Sequence, residues 1–156
     1  MGSLMDLVAG EAREIILAFT IDDERSLEDP ARFDAHLALG GGLDPTWLDL
    51  FSEAVRSVTG GEEPSDFLDA RGELDALAGA GDRTVERVDR RWVEAVARVP
   101  DAHVDALAGR WIDLLEEELG LLPREEKPWI RDLTGRIVTF ARRAEDAPDV
   151  VFAWSI

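Results

Sequence analysis

Three arginines, Arg83, Arg87 and Arg90, recur at intervals of four and three residues, with Arg91 beside them. On a helix that spacing stacks guanidinium groups on one face, and guanidinium binds carboxylate or phosphate bidentately. These four are therefore the first candidates for holding a ligand or a charged partner. The competing reading is a solvated face with local pairs such as Glu86–Arg90, worth about 0.3–0.5 kcal/mol.

Carboxylates offer a second chemistry. Asp22, Asp23 and Glu24 are consecutive in an acidic loop, "DDERSLED", and could present oxygens to Mg²⁺ or Ca²⁺. They are the candidate metal residues, although the alternating acids and central glycine of a calcium loop are absent. Glu116, Glu117 and Glu118 occupy successive helical positions, spread over about 200° of surface, and cannot converge on one ion.

Other chemistries find little support. The two histidines, His36 and His103, show no zinc-binding spacing, and His36 is expected to sit at the negative end of a short helix. Cysteine and tyrosine are absent, and no serine stands in a nucleophile-elbow motif. "GGGLDPTW" (40–47) has the glycines of an anion cradle but lacks the lysine and hydroxyl of a phosphate loop. No catalytic set is assigned and no cofactor is called for.

The elements that must position these residues read as helical almost throughout. A first helix is expected from Ser3, with Leu4, Val8, Ala12, Ile15, Ile16 and Phe19 on one face. Asp29-Pro30 and Asp44-Pro45 each pair a capping residue with a first-turn proline, opening helices that end at Gly40–Gly42 and Gly60-Gly61. A fourth helix is expected over about 65–78. A fifth starts at Asp82, with Val85, Val88, Trp92, Val96 and Val99 inward. A sixth runs from Asp101 to Gly120, and a last one begins between Pro123 and Pro128 and runs towards Ala144. A tryptophan, an aliphatic residue and a charge recur at Trp47, Trp92, Trp111 and Trp129, which reads as a shared packing solution.

The stretch "PDVVFAWSI" contrasts with the rest of this acidic chain. Val151, Phe152 and Trp154 need a docking place, and burying each such side chain is worth about 1.5–3 kcal/mol. The expectation is a groove in the protein's own helical core, the other choice being a partner subunit.

The fold class expected is mainly α: one domain over residues 1–156, a bundle of about seven helices with an extended apolar C-terminal segment. The alternative is α+β, with a small sheet formed by segments 14–21 and 149–155, because "EIILAFTI" also alternates as a strand does.

Composition limits the partners. The net charge is −17, and residues 1–78 carry 18 acids against five arginines. Such a field repels nucleic acid and anionic membrane surfaces. No apolar run approaches the roughly 20 residues of a membrane span, and the first residues lack a basic leader region, so a cytoplasmic protein is expected. The functional expectation is a non-enzymatic interaction, regulatory or inhibitor module that meets a basic protein or a second copy of itself. The alternative is a small enzyme or ligand-binding domain using scattered carboxylates and the arginine stripe, with or without a divalent cation.

Overall fold

The computed structural model describes residues 4–20, 26–27, 29–40, 44–73 and 84–155. Its centre is an antiparallel sheet built from β1 (Leu4–Gly10), β2 (Ala35–Gly40), β3 (Arg71–Glu73), β4 (Thr84–Val88) and β5 (Asp149–Ser155), in the order β2-β1-β5-β4-β3. Helices flank it: α1 (Ala12–Thr20), α2 (Pro45–Thr59), α3 (Phe67–Ala70), α4 (Arg90–Ala97), α5 (Val104–Leu119) and α6 (Glu126–Ala144). The protein is therefore α+β, not a mainly α bundle of seven helices.

The expected alternative sheet is right about one segment and wrong about its partner. Residues 149–155 form β5, but Ala12–Thr20 is helix, and β5 pairs instead with β1 and β4. Leu7 faces Phe152 across one ladder, and Glu86 faces Phe152 across the other.

Two cores explain the misreadings. Met5, Leu7 and Ala9 point to one face, joining Leu37, Phe152 and the helices α2 to α6. Val8 points to the other, joining Val151, Ala153, Val85 and the inner side of α1. A strand buried on both faces loses its polar alternation and reads as a continuous apolar run, which is how residues 4–10 resembled the start of a helix. The expected helix after Asp29-Pro30 is a single turn. Asp29 Oδ1 accepts the Ala31 N–H at 2.9 Å, its carbonyl accepts from Arg32 and Phe33, and the chain then enters β2. Of the helix expected over 65–78, only Phe67–Ala70 is helical before β3 begins; residues 74–83 lie outside the described ones. Thr84–Val88, expected to open the fifth helix, is β4. The cap is Asp89, whose Oδ1 accepts the Arg91 N–H at 2.9 Å and starts α4.

The remaining helices obey their end signals. Asp44 Oδ1 accepts the Thr46 N–H at 2.9 Å, Pro45 occupies the first turn of α2, and Gly60 ends it with φ 71. A short 3-10 turn at Asp101–His103 leads into α5, which stops at Gly120. α2 packs on α5, and α6 packs on both α4 and α5. Phe51, Trp92, Trp111, Phe67 and Phe152 form an aromatic chain between these helices and the sheet, with centroid separations of 5.0–6.2 Å. Among the described residues no helix is long and apolar enough to cross a membrane.

Candidate functional site

The arginines singled out by spacing do not share a helix face. Arg87 lies on β4, Arg90 and Arg91 open α4, and Arg83 falls outside the described residues. Arg87 Nε is 3.2 Å from Asp149 Oδ1, and the other oxygen of that carboxylate accepts the Ala12 N–H at 3.2 Å. Arg90 donates to the carbonyls of Glu145, Ala147 and Pro148 at 2.9, 2.7 and 3.3 Å. It fastens the turn between α6 and β5. Arg91 is exposed. Arg87, Arg90 and Asp149 line a cleft of about 260 Å³, with each guanidinium already engaged by the protein itself.

Asp22, Asp23 and Glu24 lie outside the described residues. Among the described residues no three His, Asp or Glu side chains come together as a metal site. Val151 and Phe152 of β5 are fully buried and Trp154 is half-buried, its indole N–H donating to Glu86 Oε1 at 2.7 Å. The same oxygen lies 3.2 Å from Arg71 Nη1, and the Arg71 guanidinium stacks over the rings of Phe67 and Phe152.

His36 is not at a helix end. It sits on β2, where Nε2 lies 2.8 Å from Asp6 Oδ1 on β1, both side chains nearly buried. Thirty residues separate the pair, and only the strand register joins them.

Two features were missed by spacing. The larger cleft, about 460 Å³, lies between α6 and residues Ala35–Leu37 of β2. Arg131, Arg136 and Arg143 line it, with Gly135, Thr139 and Asp132. β2 is the last strand of the sheet on this side among the described residues. On the same helix Arg142 turns the other way and is consumed structurally, donating to the carbonyls of Ala97 and Val99. A signal existed in the sequence: Gly135 sits mid-helix between arginines, where glycine costs about 1 kcal/mol relative to alanine.

The second missed feature is apolar. Leu119, spaced with the buried Trp111 and Leu115 along α5, is nevertheless 55% exposed; Leu121 is 92% exposed and Trp129 37%. All three lie where α5 turns into α6. In the same stretch of chain Glu117, Glu118 and Glu125 are exposed, as is Arg124. Behind them Glu116 holds the turn, accepting the Leu122 N–H at 3.2 Å and pairing with Lys127 at 3.5 Å. Trp129 thus departs from Trp92 and Trp111, which are fully buried and hydrogen-bonded through their indole N–H groups.

Comparison with known proteins supplies no relative: no family model, no curated protein and no solved structure matches the chain.

Proposed function

We propose that this protein is a non-enzymatic interaction module, regulatory or inhibitory in role, that seats a basic amphipathic segment of a partner protein at the α5–α6 turn. The observation that carries this reading is the exposure of Leu119, Leu121 and Trp129 along a turn whose exposed charged residues, Glu117, Glu118, Arg124 and Glu125, are mostly acidic. Large apolar side chains gathered inside a polar rim are how a docking surface differs from ordinary surface, and tryptophan is among the residues that anchor interfaces. The net charge of −17 selects the partner's sign and would speed its encounter at low salt. The complementary segment carries leucine-like anchors on one face and Lys or Arg at its edges.

The test is a titration of ¹⁵N-labelled protein with a synthetic amphipathic Leu/Lys helix, followed by amide and indole resonances. Saturable shifts confined to residues 117–127 and the Trp129 indole, abolished by Leu121→Asp and weakened by salt, are expected. A Leu/Glu helix of the same apolar face should not bind. Equal binding of the two peptides, or shifts on another face, would sink the proposal.

A further inference from the structure

The cleft between α6 and β2 has the makings of a second, unrelated site. In a chain with twice as many acids as bases, three guanidinium groups bordering one recess demand an account. Arg136 and Arg143 are seven residues apart, two helical turns, and lie within about 20° of each other around the α6 axis. Arg131 flanks the recess from the other side, separated from Arg136 by Gly135. Among the described residues none of these three guanidinium groups has an ion-pair or hydrogen-bond partner, whereas those of Arg87, Arg90 and Arg142 all do.

Gly135 is the second observation. A Cβ built on it would meet no atom within 4 Å, so packing does not require a glycine there. The space it leaves open belongs to the recess, with the Thr139 hydroxyl one turn further along. A helix that tolerates glycine at mid-length, with room for a larger residue, keeps the floor of the recess low between cationic walls.

We infer that this cleft binds a small polyanion, a molecule carrying at least two phosphate or carboxylate groups. Its volume of about 460 Å³ lies within the range of small-molecule sites. Arg136 and Arg143 grip separate anionic groups through paired N–H donors, Arg131 closes the near side, and Thr139 donates a hydroxyl hydrogen bond. Asp132, which also lines the cleft one turn before Arg136, opposes an anion and sets a limit on affinity. The site is independent of the apolar surface at the α5–α6 turn, and neither reading needs the other.

Calorimetric titration with inorganic pyrophosphate and, separately, with citrate tests this on the full chain. Saturable binding of at least one probe is expected, weakening as NaCl rises. Arg136→Gln with Arg143→Gln should reduce the affinity about tenfold or more, since charge-assisted hydrogen bonds are the stronger class. Asp132→Asn should tighten it. Gly135→Ala should weaken binding while raising the melting temperature, whereas Gly109→Ala, the same exchange in α5 with equally open space, should raise the melting temperature alone. Binding of pyrophosphate only assigns a phosphate-bearing ligand, of citrate only a polycarboxylate, and of both a site that reads charge. Absence of saturable binding by either, or affinity untouched by the double arginine exchange, would overturn the inference.

Discussion

Phe152 meets Phe67 edge to face, ring centroids 5.0 Å apart and planes at 89°, at the point where the middle of the sheet touches the helical layer. The segment that looked like an awkward apolar tail is therefore the sheet's central strand. Phe152→Ala should destabilise the protein by about 3–5 kcal/mol in urea unfolding, the usual cost of emptying a large aromatic from a core. A chain cut after Pro148 should show no cooperative transition, because both β1 and β4 lose their common neighbour.

Ser52 supplies a second test. Its buried hydroxyl donates to the Leu48 carbonyl and accepts the Trp92 indole N–H, both at 2.8 Å. Ser52→Ala strands that N–H inside the core and should cost about 1–3 kcal/mol. Adding Trp92→Phe should cost less than the sum of the two single changes, which a double-mutant cycle by chemical denaturation will read.

The two arginines at the start of α4 should separate cleanly. Arg90→Ala removes donors from the turn before β5 and should lower stability by about 1–2 kcal/mol. Arg91→Ala, one residue on, should stay within about 0.5 kcal/mol of the parent. Equal losses would mean that helix-end electrostatics, not the carbonyl contacts, dominate at this junction.

Asp49 gives a pH dependence of unusual sign. Burial, reinforced by Asp66 and Asp69, raises its carboxyl above the ordinary range, against the Leu68 N–H and Arg71, which pull it down. A carboxyl with a raised folded pKa favours folding when protonated, so its contribution is present at low pH and is lost as pH rises through the folded value. Asp49→Asn, which can still accept the Leu68 N–H, should therefore stabilise the protein at neutral pH. The gain should shrink as pH falls towards 4, measured as the difference in melting temperature between variant and parent.

What could be read from the residues was whatever local chemistry controls. Asp44, Pro45 and Gly60 mark the ends of α2 by capping and backbone preference alone, and Gly120 does the same for α5. β4 was hidden because Val85 serves the core beneath α1 while Val88 serves the opposite one. Their separation of three residues runs on into Trp92 and Val96 as if one helix carried all four. Only Asp89 marks the junction. β1 was hidden by burial on both faces. The candidate sites depended still more on tertiary structure. Leu119 continues the apolar stripe of α5, and its exposure follows from where α6 turns back. The three α6 arginines that line the cleft are spaced at five and seven residues, a pattern without meaning until the edge of β2 is set opposite them.

The strand order β2-β1-β5-β4-β3 also has a consequence for how the molecule is made. On a ribosome adding about 5–20 residues per second, roughly seven to thirty seconds separate the appearance of β1 from that of β5. Until β5 is made, β1 and β4 each lack the neighbour that pairs with both of them in the finished sheet. The nascent chain thus waits for its own keystone. Its density of negative charge is well suited to keeping neighbouring nascent chains from supplying one in its place.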